Sequence, residues 1–196
     1  MEKNFDALDV IARTRGKVDM DSTPSGGWLF PLWGWLTAFF YLLEFVLWEI
    51  LHAPWCVWLW IGVPLLGIPL MVLILRRDHR RSHMRSRNSR VVLDYWIFAA
   101  AAIAVGGFVF GFADIYEIAE NPLICLLVGI GAFLTGEVVR FRPMVVGGLA
   151  GAAIAIAAFL LQGELWMWQT LAVAAVAAVA LIIPGHLYEA RLKNGV

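Results

Sequence analysis

Seven arginines fall within the fifteen residues Arg76–Arg90, RRDHRRSHMRSRNSR, and long apolar runs flank them on both sides. Nothing else in the chain restricts its fold as strongly. Short arginine-dense loops between apolar runs stay on the cytoplasmic side of a bilayer, because carrying that charge across hydrocarbon is costly. The stretch therefore reads as a cytoplasmic anchor that orients the runs it joins.

The remaining charges are sorted in the same way, although the formal net charge is zero. All fifteen Lys and Arg residues lie in four places: Lys3–Lys17, Arg76–Arg90, Arg140 with Arg142, and Arg191 with Lys193. Between these groups lie pairs of apolar runs whose connecting loops contain neither Lys nor Arg. An even number of membrane spans produces this alternation. Hydrophobic residues make up 61% of the 196 positions and charged residues 15%, too little polar surface to cover a water-soluble domain. The first apolar run is expected to remain in the mature protein, since 27 mostly polar residues precede it and no A-x-A-like exit follows.

In chain order, residues 1–27 read as a cytoplasmic segment. Met1–Val18 has an amphipathic helical pattern, with Phe5, Leu8, Ile11 and Ala12 on one side, and Asp19–Gly27 is a linker rich in Pro, Ser and Gly. Residues 28–185 form a six-helix transmembrane domain that contains the basic loop 76–90, and residues 186–196 form a cytoplasmic tail. The predicted spans run from about Trp28 to Leu51, Trp55 to Leu75, Asp94 to Phe112, Pro122 to Arg140, Pro143 to Leu161 and Leu165 to Pro184. Each is roughly 20 residues, which suits a hydrocarbon core about 30 Å thick. The expected fold is all-α, a bundle of six transmembrane helices with both termini cytoplasmic.

Particular residues add expectations. Gly34, Thr37, Tyr41, Glu44 and Trp48 share one face of span 1, which should point into the bundle. Pro64 and Pro69 should kink or break span 2 and require it to be well packed, because the carbonyls they free need partners inside lipid. Gly107 and Gly111 in span 3, and Gly147, Gly151 and Ala155 in span 5, have the small-residue spacing that lets helices approach closely. Asp114, Glu117 and Glu120 read as an acidic outer loop.

Glu44 carries the most chemistry. It lies about six residues inside the outer end of span 1, with Tyr41 one turn away, and an acid there must be paired, hydrated or protonated. Glu44, Tyr41 and Thr37 are therefore candidates for proton or cation coupling; the structural alternative is a neutral acid bonded between helices. Glu137 is expected to form a salt bridge with Arg140 or Arg142, and Arg90 with Asp94 four residues on. Candidates for contact with a partner or anionic lipid are Arg76, Arg77, Arg80, Arg81, Arg85, Arg87 and Arg90. His79 and His83 have the spacing of a metal pair, but the arginines around them oppose a cation, so no metal is expected. Cys56 and Cys125 sit at similar depth near the outer ends of their spans, which leaves open a disulfide or two buried thiols.

There is no Walker A, H-E-x-x-H, G-x-S-x-G or C-x-x-C motif, so neither an enzyme nor a cofactor is expected. The expected partners are the lipid bilayer, a cytoplasmic regulatory protein and further copies of the chain, with no direct contact to nucleic acid.

The segment GIGAFLTGEVVRFRPMVVGG (Gly129–Gly148), together with WGWL (Trp33–Leu36) and IIPGHL (Ile182–Leu187), resembles a group of uncharacterised integral membrane proteins of Bacteroidetes-type bacteria. The resemblance implies a bacterial inner-membrane location and a regulatory or signalling context. It carries over no catalytic or binding residue. Taken together, the sequence favours a non-enzymatic scaffold or sensor presenting a basic cytoplasmic face, with a small cation- or proton-coupled transporter or channel using Glu44 as the competing reading.

Overall fold

The computed structural model describes residues 27–53, 59–78, 87–113 and 116–193. The amphipathic segment, most of its linker, Cys56, His79, His83, Arg80, Arg81 and Arg85 lie outside the described residues, as do the side chains of Arg77 and Arg87. Helices are α1 (Leu29–Glu49), α2 (Leu59–Asp78), α3 (Arg87–Ala113), α4 (Tyr116–Val138) and α5 (Arg142–Ala158). A 3-10 turn, Gly163–Leu165, leads into a last span in which α6 (Trp168–Val176), a π-helical stretch (Ala177–Ile182) and α7 (Ile183–Lys193) follow without a break. Among the described residues there is no strand. Four helical stretches are long and apolar enough to cross a membrane: Leu29–Glu49, Arg90–Gly107, Glu120–Val138 and Trp168–Lys193. Two more, Gly62–Ile74 and Arg142–Ala158, are apolar but shorter.

The core is built by α1, α4, α5 and the last span. Tyr41, Cys125, Val128, Met144, Ala155, Val173 and Leu181 pack into one cluster drawn from all four. At its centre α4 and α5 meet backbone to backbone. A Cβ built on Gly148 would come within 2.7 Å of the Gly129 carbonyl oxygen and the Phe133 Cα, and one on Gly136 within 2.6 Å of the Val145 nitrogen. Only residues without a side chain allow this approach, and it maximises van der Waals contact between the two helices.

The turn between these helices is as tight. Phe141 N–H donates to the Gly136 carbonyl at 2.8 Å and Arg140 N–H to the Glu137 carbonyl at 3.3 Å, the paired bonds of a Schellman ending. Arg140 occupies the left-handed position at φ 53° that glycine usually fills, and Phe141, extended at φ −118°, opens α5 directly.

Helix α3 attaches to α4 through polar contacts. The Tyr95 hydroxyl donates to the Leu127 carbonyl at 2.6 Å, and the Trp96 indole N–H donates to Thr135 Oγ1 at 3.1 Å, which donates to the Gly131 carbonyl at 2.6 Å. Gly131 leaves the room both rings need. Thr135 is fully buried, so Thr135→Val strands the indole donor. The expected loss is about 1 kcal/mol, the scale of hydrogen bonds between membrane helices, read as a lower thermal midpoint in detergent that Thr135→Ser restores. An unchanged midpoint would show that the indole finds another acceptor.

Helix α2 departs from expectation. It is helical through both Pro64 and Pro69, and it is not well packed: Leu65 is 67% exposed, and Leu66, Ile68 and Pro69 are exposed with it. Gly62 lies against the Phe40 ring and Gly67 against Trp33, both on α1, while Pro64 and Pro69 are both exposed. The glycines dock, and the prolines lie outside the contact. Pro122 also departs from its predicted place, since α4 begins at Tyr116 and carries Pro122 buried in its second turn. Pro184 likewise does not end the last span, for the helix continues through it to Lys193.

At one end of the bundle Trp48 stacks edge-on with Trp166 at 5.8 Å and Phe45 lies near Trp168 at 6.1 Å. At the other, the Trp35 indole donates to His186 Nε2 at 3.1 Å, and Lys193 bonds Glu189 at 2.6 Å while lying over the Trp28 ring.

Candidate functional site

The polar face of α1 does turn inward. Gly34 packs on Leu181 and Ile182, Tyr41 is 1% exposed, and Trp48 meets Trp166. The Tyr41 phenol lies within electrostatic reach of three groups: Glu44 on its own helix, and Glu120 and the Cys125 thiol from α4. Both carboxylates are half-buried. Glu120 also reaches α3, its Oε1 standing 2.9 Å from where a Gly107 side chain would begin. Gly107 thus serves to admit a carboxylate rather than a facing helix backbone.

Glu44 of α1 and Glu120 of α4, far apart in the chain, thus both lie within electrostatic reach of one buried hydroxyl. Burial disfavours a negative charge on a carboxylate, and a proton or a bound cation relieves that cost. Gln169 adds a buried polar atom at the same end of the bundle. Its amide N–H donates to the Leu161 carbonyl, whereas its Oε1 has no hydrogen-bond partner among the described residues. Val173, one turn along the same helix, shares the core cluster with Tyr41 and Cys125.

Of the residues singled out from sequence, Tyr41 and Glu44 meet in this site. Thr37 is half-buried one turn away, and among the described residues no hydrogen bond links it to the carboxylates. Glu120 was expected in a loop; its place inside α4 brings it to Tyr41. Its place follows from the helix starting at Tyr116 rather than at Pro122, once Pro122 is allowed in the interior.

Two expected salt bridges are not formed. Glu137 pairs with neither Arg140 nor Arg142, and Arg90 does not pair with Asp94. The left-handed backbone at Arg140 takes its side chain off the helical path on which three-residue spacing would meet Glu137. Arg90 and Asp94 are both exposed, where an ion pair gains little over hydration. Arg76, Arg140 and Arg142 are exposed as well. Cys125 is a buried free thiol. Among the described residues no group of three His, Cys, Asp or Glu side chains is placed to hold a metal ion.

No protein-family model matches the chain, and no curated protein or solved structure matches it either.

Proposed function

We propose that the chain is a six-span protein of a bacterial inner membrane that binds a proton or a monovalent cation at Glu44, Tyr41 and Glu120, and acts as a small cation- or proton-coupled transporter or channel without enzymatic activity. Four long apolar helices and two shorter ones are compatible with six spans, and the sorting of the basic residues supports cytoplasmic termini and a cytoplasmic loop 76–90. The reading is carried by Glu44 of α1 and Glu120 of α4, two half-buried acids that both lie within electrostatic reach of the buried Tyr41. Structural polar contacts between spans rarely need two acids, whereas a coupling site must take up and release a positive charge. The base-free outer loops suit cations as well.

The test is flux in proteoliposomes containing a pH-sensitive dye, under imposed proton, sodium and potassium gradients. Wild-type protein should dissipate one of them, Glu44→Gln should abolish that flux, and Glu49→Gln, at an exposed position, should leave it intact. No flux from the wild type under any gradient would overturn the transport reading.

The second reading is a scaffold or sensor that presents its basic face to a cytoplasmic regulatory protein or to anionic lipid, in the signalling context that the resemblance to Bacteroidetes-type membrane proteins implies. The exposure of Arg76, Arg90, Arg140 and Arg142 favours it. A stoichiometric cytoplasmic protein that co-purifies with the wild type, and is lost when Arg76 and Arg90 become Gln, would establish it.

A further inference from the structure

A groove of about 470 Å³ lies between α5 and the last span, at the end of the bundle where α5 begins. Pro143 and Val146 form one wall, Ile183 and Pro184 the other, and Gly147 the floor. At its base Gly147 lets α5 touch the last span, since a Cβ there would overlap the Val179 carbonyl and stand 3.0 Å from the Pro184 ring. The lining is apolar except at one extremity, where Arg142 sits. From Pro143 to Ala150 the groove follows α5 for roughly 10 Å, about two thirds of the ~15 Å depth of one hydrocarbon leaflet. It opens sideways, as the exposure of Val146, Ala150 and Ile183 shows.

The charge at its mouth is uncommitted. Arg142 is exposed, Arg140 is exposed two residues away, and neither pairs with Glu137, the nearest acid in sequence. Arg142 is also the first residue of α5, whose N-cap Phe141 supplies no side-chain hydrogen bond, so the partial positive charge of the helix end adds to the two guanidinium groups.

We propose that this groove binds an anionic phospholipid, with one acyl chain lying between α5 and the last span and the phosphate at Arg142. An apolar channel running down from the interface, with Arg142 at its interfacial end and Arg140 two residues away in the chain, matches a lipid with net negative charge. A zwitterionic lipid would bring its own cation to the same arginines. The inference rests on the membrane-spanning part of the function proposed above and is independent of the Tyr41 site.

The test is native mass spectrometry of the detergent-purified full chain, titrated with phosphatidylglycerol and phosphatidylcholine of matched chains. The wild type should favour phosphatidylglycerol about fivefold, the preference one basic residue gives near an anionic surface. Arg142→Gln should remove the preference. Ala150→Phe, a filling substitution at an exposed position, should weaken both lipids. Equal binding of the two lipids by the wild type, unchanged binding in both variants, displacement of the lipid by inorganic phosphate alone, or a dimer mass in place of the lipid adduct would each overturn the proposal. Alkaline carbonate extraction of native membranes separates the two layers of the argument: release of the chain would end the membrane reading itself, whereas a retained chain without headgroup preference ends only this proposal.

Discussion

Gly148→Leu should destabilise the protein by about 3 kcal/mol or more, the upper range for overpacking a core, and should do so more than any single truncation of an exposed apolar residue. The first added carbon would stand within 2.7 Å of the Gly129 carbonyl oxygen and the Phe133 Cα. Both are main-chain atoms, so no side-chain rotation relieves the overlap and α4 and α5 must separate. Their separation would open the cluster that holds Met144, Ala132 and Val176. The loss is read from reversible denaturation in mixed micelles. Leu149→Ala, at a neighbouring exposed position, serves as the control and should shift the midpoint little. A Gly148→Leu protein as stable as the wild type would mean that the α4–α5 backbone contact is not the centre of the fold.

The second large effect concerns the paired carboxylates. Glu44→Gln and Glu120→Gln should each reduce cation or proton flux by more than about tenfold, and the double variant should be no worse than either one. Groups that act as a unit show this non-additivity, because removing one member already disables the site. The two residues belong to α1 and α4 and both lie within electrostatic reach of the Tyr41 phenol, so sequence proximity cannot produce the result. Two independent, multiplying losses would place the acids in separate sites. Tyr41→Phe, which keeps the ring and removes the hydroxyl, should lower flux while leaving the thermal midpoint near that of the wild type.

The sequence made the helices and their inward faces readable, and it did so through periodicity. Gly34, Tyr41 and Trp48 fall on one side of α1 because a helix repeats every 3.6 residues, and that side is the buried one. Gly147, Gly151 and Ala155 are buried on α5 for the same reason. Proline was the harder residue to read. At Pro122 the sequence suggested a helix start, yet the helix forgoes one hydrogen bond and begins two turns earlier, and that difference moves Glu120 from a loop into the candidate site. At Pro184 the preceding π-helical turn absorbs a residue that would otherwise stop the helix. At Pro64 and Pro69 the demand for packing was misplaced, because α2 meets α1 through Gly62 and Gly67 and leaves both prolines exposed. In each case the missing information was tertiary: which side of a helix a neighbour occupies decides whether a local rule applies. The unformed pair of Glu137 and Arg140 has a different cause, a left-handed residue that ends the helix one step before the spacing rule would operate.

The outlying position of α2 and α3 has a consequence for how the chain is made. Helix α2 leans chiefly on α1 and α3 on α4, and both leave wide apolar faces outside the core. During synthesis such segments have few folded neighbours against which a wrong insertion would be detected or reversed. On the six-span reading, the seven arginines between them supply that correction in another form. A charged loop fixes direction as each segment enters the bilayer, before any partner helix exists. Electrostatics acting early would thus protect the two spans that packing, acting late, guards least.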